Sequence, residues 1–230
     1  MKKVAILQSN YIPWKGYFDM IAAVDEFIVY DDMQFTKNDW RNRNKIKTPQ
    51  GVQWISIPVK TKGKFGQSIR ETQINGDIWR DQHWKSLCLN YKKANHFEEV
   101  SFLLESLFTR EHRTISDINV MFIEFVCEYL GISTKIKKSW DYNLAEGKTE
   151  RLVDLCQQSG ATEYISGPAA KEYIQPDIFS DAGIALTWFN YEGYPEYPQL
   201  WGDFVHGVSI LDLLFNCGKD SPNYMRFVKK

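Results

Sequence analysis

The sequence lacks an excess of charge of either sign: its basic and acidic residues leave a formal net charge of −1. A protein that grips duplex DNA through its phosphates carries a basic surplus, so that class of function is disfavoured. No run of about 18 apolar residues is present, and a helix needs that length to cross a bilayer; no membrane span is expected. Close cysteine pairs are missing too. Cys88, Cys127, Cys156 and Cys217 are scattered, none in a C-x-x-C spacing, which argues against a compact zinc knuckle. Cys127 and Cys156 fall on apolar helical faces and read as small core residues. The histidines, His83, His96, His112 and His206, form no i, i+4 pair and show no zincin spacing, so no zinc site built on paired histidines is expected. After Met1, Lys2 and Lys3, the apolar stretch Val4 to Leu7 is too short for a secretory signal. The expected compartment is the reducing cytoplasm.

What is present fits an ordinary globular protein, with 43% hydrophobic and 25% charged residues. A domain of 230 residues can bury roughly 70–75% of its unfolded surface without disulfide or metal. No repeat, low-complexity tract or linker interrupts the chain, and one domain over residues 1–230 is the simplest reading. The aromatic share is 15%, with eight Trp and twelve Tyr. Such rings fill cores, and they also line sugar and nucleotide sites.

Strand and helix signals alternate. Val4 to Leu7 reads as a short buried strand ending in the polar turn Gln8, Ser9, Asn10. Residues 15–23 form a helix with Phe18, Ile21 and Ala22 on one face, and Phe27 to Tyr30 is a second strand ending at Asp31 and Asp32. Strand, helix and strand in such short order imply a βαβ unit and a parallel sheet. Residues 33–51 read as a polar, basic loop, and Val52 to Val59 as a strand. Helices are predicted over Trp79–Tyr91 and Glu98–Phe108. Another follows, with Ser116 as N-cap and Gly131 as stop. Further on come a strand at Thr134–Lys138, a helix capped by Thr149, and a strand at Thr162–Ser166. A helix start at Pro168, a strand at Ile184–Phe189 and a closing helix at Val208–Asn216 complete the pattern. The fold class is α/β, a mainly parallel sheet flanked by helices.

Ligands of open α/β sheets collect beyond the carboxyl ends of the strands. Parallel strands would bring three polar clusters to that edge: Gln8-Ser9-Asn10, Asp31-Asp32 and Ser166-Gly167. The Ser166-Gly167 pair precedes a helix whose free N–H groups could hold a phosphate, though capping alone also explains it. Asp31 and Asp32 could bind a metal, orient a hydroxyl or accept a proton; a solvated turn is the alternative. In the stretch from Asn38 to Lys47, Arg43 and Lys45 could clamp a diphosphate and Trp40 could stack on a base or sugar. Asn38, Asn42 and Asn44 add amide groups, and a solvated basic loop is the plain alternative. His83 and His206 are general-base candidates, since imidazole titrates near neutral pH.

These residues carry a family likeness. The stretch from Gln8 to Phe18 (QSNYIPWKGYF), including Tyr11 and Trp14, resembles the opening Q-P-N-Y-x-P-W-x-G-Y-F of the WbqC-like family. The likeness continues through Asp31-Asp32, Gln34, Asn42-Arg43-Asn44 and Ile46 to Pro49. Downstream it takes in His83-Trp84, Tyr164 to Pro168, Tyr197 to Gln199, Ser209 to Asn216, and Gly218. Two positions depart from the family pattern: Ser9 stands where Pro is usual, and His206-Gly207 where Pro and Asn are common. The resemblance implies a role in O-antigen or other surface-glycan synthesis and a glycyl or other acyl transfer to an amino sugar. A fainter likeness links Tyr11 to Phe18 and Ile165 to Lys171 with the phosphate motifs of HIGH-type (HUP-like) nucleotidyltransferases. The HIGH histidines are missing, so this stays a fold-level analogy.

The leading expectation is therefore an N-acyl transferase acting on an amino sugar or a nucleotide-linked amino sugar. Its donor is an unidentified acyl or aminoacyl compound. Asp31, Asp32 or His83 would take the proton. Gln8, Asn10, Tyr11, Trp14, Asn38, Trp40, Asn42, Arg43, Asn44, Lys45, Ser166, Gly167 and Lys171 would surround the substrate. A second expectation is a nucleotidyltransferase or ligase using Mg-ATP, with Asp31 or Asp32 on Mg²⁺ and Lys171 on a phosphate. A third is a non-catalytic module that binds a sugar nucleotide.

Overall fold

The structure, a computed structural model, describes residues 1–229. Five strands form one sheet: β1 (Lys3–Leu7), β2 (Glu26–Val29), β5 (Lys135–Lys138), β6 (Glu163–Ser166) and β7 (Ala185–Trp188). Their order is β5-β2-β1-β6-β7, and every neighbouring pair is parallel. From β1 the chain steps outward to β2 and β5, then crosses back to β6 and steps outward the other way to β7. The order therefore reverses between β1 and β6, which makes that crevice the switch point of a doubly wound sheet.

Both faces of the sheet are covered, which is why Val4, Ala5, Phe27, Ile28 and Val29 are all fully buried in near-continuous apolar runs. Successive side chains go to opposite faces. Ala5, Phe27, Val29 and Ile165 face one core, shared with α1 (Lys15–Ala22), α2 (Ile78–Tyr91), α3 (Phe97–Thr109), α4 (Ile115–Leu130) and α7 (Ile210–Cys217). Val4, Ile6, Ile28 and Tyr164 face the other, closed by α5 (Thr149–Gln158) and α6 (Pro176–Asp181). Full burial of side chains such as Phe18, Phe27 and Phe122 contributes about 1.5–3 kcal/mol each. Among the described residues no helix is long and apolar enough to cross a membrane.

The largest departure from the sequence reading lies in residues 33–51. About a third of the expected polar loop is a strand, β3 (Arg43–Thr48), paired antiparallel with β4 (Gly51–Ser56). The pattern beneath is a period of two. Asn44, Ile46 and Thr48 turn inward with Ile55, while Lys45 lies opposite Trp54 on the outer face with its ammonium 5.0 Å from the indole centroid. Basic residues on one face hid the apolar positions on the other. β4 also ends at Ser56, three residues short of the expected Val59.

Three helix starts also differ; in α5 Thr149 is the first helical residue, after Lys148, and does not cap it. Thr114, not Ser116, caps α4: its hydroxyl accepts from the Asp117 N–H while the Asp117 carboxylate accepts from the Thr114 N–H, a reciprocal capping box. Ser116 is thereby released to turn inward. At Pro168 there is only a five-residue 3₁₀ turn, Pro168–Glu172. Gln175 precedes Pro176 and is held extended, which prevents one helix from running through this segment. Ser166-Gly167 therefore has no regular helix N-terminus behind it.

Candidate functional site

The loop after β1 is strapped to two distant segments. Its Tyr11 N–H donates to the Trp40 carbonyl at 2.9 Å. The side-chain nitrogen of buried Asn44 donates to the Tyr11 and Ile12 carbonyls at 2.9 and 2.7 Å, fixing Ile12 at the unusual φ of 42°. The Ile210 N–H bonds the Pro13 carbonyl at 2.9 Å, and the Ser209 N–H bonds the Lys45 carbonyl at 2.8 Å. Residues 8–14, 38–45 and 206–210 thus meet. Between them opens a cavity of about 320 Å³ lined by Asn10, Pro13, Trp14, Trp40, Asn44, His206 and Gly207. It sits past the carboxyl end of β1. Its walls are two indoles and a proline, with two amides and an imidazole as polar groups, the mixture expected of a small-molecule site.

Trp14 holds its place against Tyr191 and Tyr194, with ring centroids 5.3 and 5.6 Å away. Trp40 is 40% exposed and lies 5.1 Å from Trp54. The Arg43 guanidinium covers the Trp54 face at 4.1 Å, and the Lys45 ammonium lies 5.7 Å from the Trp40 ring. The result is an aromatic rim carrying two cations.

Under the loop runs a buried polar chain. Asp31, fully buried, accepts from the Ser9 N–H (2.8 Å), the Ser9 hydroxyl (2.7 Å) and the Ser116 hydroxyl (2.6 Å). Burial raises its carboxyl above the usual carboxylate value, and the two serines and the Arg41 charge oppose that rise. The Ser9 N–H in this chain is a donor that the proline usual in the family pattern would lack. Asn119, fully buried on α4, donates to the Ser9 hydroxyl (3.0 Å) and to the Arg41 carbonyl (2.9 Å). The Arg41 guanidinium in turn reaches the side-chain oxygens of Asn10 and Gln8 through its two terminal nitrogens.

Of the residues singled out from sequence, Asn10, Trp14, Trp40 and Asn44 line the cavity; Gln8, Arg43 and Lys45 stand around it. The others lie elsewhere. Tyr11 is a core ring edge-on to Phe122, and its hydroxyl meets Nδ1 of His83 at 2.9 Å. His83 is itself buried; burial pushes its imidazole down to about 4, against a hydrogen bond with the Ser56 backbone. Asp32 accepts from the Ser139 hydroxyl at 2.5 Å and pairs with Arg70 at 3.2 Å. Asp31 and Asp32, adjacent past the end of β2, thus serve different neighbours. The Asn42 amide nitrogen bonds the Ile57 carbonyl at 2.8 Å, and the Asn38 carbonyl accepts from Arg43. Ser166 is buried, Gly167 lies under the Tyr191 hydroxyl, and the exposed Lys171 ammonium rests 5.6 Å from the Trp188 ring. The three polar strand ends do share one edge of the sheet, yet only the first opens into the cavity. Among the described residues no group of three or more His, Cys, Asp or Glu could hold a metal ion.

Four residues near the cavity escaped the sequence reading as a working set: His206, Lys15, Arg41 and Asn119. The sequence marks His206 as a general-base candidate but not its place beside the other three. Its imidazole is driven below the usual value by partial burial and then by the charge of Lys15. Lys15 is buried with its ammonium on the Pro195 carbonyl (2.9 Å) and 5.1 Å from the rings of both Tyr194 and Tyr197. Burial lowers it to about 8. A signal existed for Asn119: it is a lone amide on the apolar stripe of Ile115, Ile118 and Phe122, at helical spacing from Ser116. None existed for Lys15, whose cage comes from some 180 residues further along the chain.

Residues 8–224 match the sequence profile of the WbqC-like protein family. An uncharacterized protein of Mycobacterium tuberculosis is 57% identical to this chain over 231 residues, which is 100% of both chains. No solved structure matches the chain.

Proposed function

The chain belongs to the WbqC-like protein family, and on that premise we propose that it is an N-acyl transferase acting on an amino sugar, free or nucleotide-linked, in surface-glycan synthesis. The observation that carries this reading is the cavity with Trp14 and Trp40 as walls and Asn10, Asn44 and His206 as polar groups. A sugar ring presents an apolar face to an indole and hydroxyls to amides, so this lining suits it. Acylation requires the sugar nitrogen to lose a proton before its lone pair can attack. His206, at the cavity wall with its pKa displaced downward, is neutral at pH 7 and can accept that proton. The nitrogen then bonds to the acyl carbon of an activated donor, an ester or thioester. The bond to the leaving group breaks, the imidazolium returns its proton to that group, and the nitrogen releases its second proton to water as the neutral amide forms. Asp31 and His83 hold the site's scaffold in this reading, and Asp32 pairs with Arg70 beside it.

The test is to incubate the chain with uridine-diphosphate-linked amino sugars and a panel of acyl and aminoacyl donors, and to look for the mass of the N-acyl product. Product should form, and His206→Gln should slow it by about 10²–10⁴-fold, the range of general-base catalysis. No product with any donor would remove this reading.

A second reading, an ATP-using nucleotidyltransferase or ligase, is favoured by one observation: the order of the five parallel strands, with its switch point between β1 and β6. Release of pyrophosphate or AMP dependent on Mg²⁺ would replace the first reading with this one. Binding of a sugar nucleotide with neither reaction would leave a non-catalytic binding module.

A further inference from the structure

We propose that the side-chain amide nitrogens of Gln8 and Asn10 form a receptor for phosphate oxygens at the mouth of β1, and that Arg41 is the residue that orients them. The argument starts from donors and acceptors. A guanidinium carries N–H donors and no acceptor, so an amide that meets it must present its oxygen. Arg41 meets both amides at once, one on each terminal nitrogen. Gln8 and Asn10 lie two residues apart in the loop after β1, and both side chains reach the one guanidinium. With the oxygens committed inward, the two NH₂ groups are turned outward. Neither has a protein partner among the described residues, and neither residue is fully buried.

The surroundings select an anion. Asp31, the carboxylate beneath the loop, is turned inward and saturated by Ser9 and Ser116. Asp39 lies 3.9 Å from Arg41, with one oxygen bonded to the Thr36 hydroxyl and the other to the Trp40 N–H. No amide oxygen of Gln8 or Asn10 is left to repel an incoming acceptor. Asn10 also lines the cavity, where Trp40 and the Lys45 ammonium stand on the opposite segment. A group bound by the paired amides would therefore continue into a pocket suited to a ring, which fits the phosphates of a nucleotide better than an isolated anion. The inference holds whether the nucleotide is the handle of an acylated sugar or is itself the reacting species.

The full chain is titrated calorimetrically with inorganic pyrophosphate, uridine diphosphate and uridine. Pyrophosphate and uridine diphosphate should bind, the diphosphate more tightly, and uridine at least tenfold more weakly than uridine diphosphate. Asn10→Asp keeps the oxygen facing Arg41 and converts the neutral contact into an ion pair, but replaces the outward NH₂ with an anionic oxygen. Its thermal midpoint should equal or exceed that of the unmodified chain while affinity for pyrophosphate and uridine diphosphate falls at least tenfold. Gln8→Glu makes the same measurement should Asn10→Asp fail to fold. A merely structural role for this triad would move the midpoint and leave affinity alone. Unchanged affinity in a folded variant overturns the proposal, as does a chain that binds uridine as well as uridine diphosphate or binds neither phosphate compound. Binding is read without turnover, so a missing acyl product would not produce either result.

Discussion

Replacing Gly16 with Ala sets two effects of opposite sign against each other. Gly16 is the second residue of α1 and has ordinary helical backbone. Ala is favoured over Gly in a helix by up to about 1 kcal/mol, so propensity alone calls for a gain in stability. A Cβ at this position, however, would stand 2.3, 2.6 and 2.8 Å from Cζ2, Cη2 and Cε2 of Trp14. Carbon atoms settle about 3.5–4.0 Å apart. The indole cannot retreat freely, because Tyr191 and Tyr194 stand against it. It must swing into the cavity or lift the start of α1. Overpacking of this kind costs about 1–3 kcal/mol, which exceeds the propensity gain. For a chain of this size each kcal/mol moves the thermal midpoint by about 2–4 °C. Urea unfolding followed by far-UV circular dichroism reads the stability, and the near-UV indole bands read the displacement of Trp14. The expected variant is destabilised, has altered near-UV bands and binds uridine diphosphate more weakly. A Gly16→Ala chain as stable as the original, with unchanged near-UV bands, would refute the reasoning.

Three further outcomes follow from the buried groups. The His83 imidazole titrates near 6.5 in the unfolded chain and is pushed down to about 4 in the native one. The unfolded state alone takes up the proton between those values, so stability falls as pH is lowered from 6.5 toward 4, by roughly 3 kcal/mol at about 1.4 kcal/mol per pH unit. Asp31, whose carboxyl burial raises, acts in the opposite sense, so the His83 share is the difference between the pH profiles of the original chain and His83→Gln; coincident profiles would contradict it. Asn44→Ala leaves the Tyr11 and Ile12 carbonyls without their donor. At about 1–3 kcal/mol for each of the two buried groups left unpaired, urea unfolding should show a loss of about 2–6 kcal/mol, and no loss would show that these bonds do not fix the loop. Lys15→Met removes the charge that helps depress His206, so the His206 imidazole should titrate at a higher pH by NMR; an unmoved titration would exclude that coupling.

Much of the sheet was legible because parallel strands buried on both faces leave short apolar runs, and Val4–Leu7 and Phe27–Tyr30 stand out between polar turns. The hairpin was not. In β3 the basic residues Arg43, Lys45 and Lys47 alternate with Asn44 and Ile46, and such a strand looks polar when its composition is averaged. Ser116 passed for a cap because a serine at the start of an apolar helix usually is one. The capping box of Thr114 and Asp117 took that place and left Ser116 to bind Asp31. Within the cavity, Asn10, Trp14, Trp40 and Asn44 could be named from residue type, since indoles and amides in polar loops point to ligands. Their companion His206 could be named as a general-base candidate but not ranked above His83, which the structure buries.

Periodicity and turn chemistry alone thus determined an α/β chain with a parallel sheet and a polar edge beyond its strands, because those signals are local and repeat at the spacing of the backbone. Which polar groups face a cavity and which are consumed in the interior was decided only by the tertiary structure. Asp31 and His83 are saturated by partners up to 85 residues away, and Lys15 by rings some 180 residues away. A side chain's hydrogen-bond partners and its exposure are set by segments that the sequence separates and packing brings together.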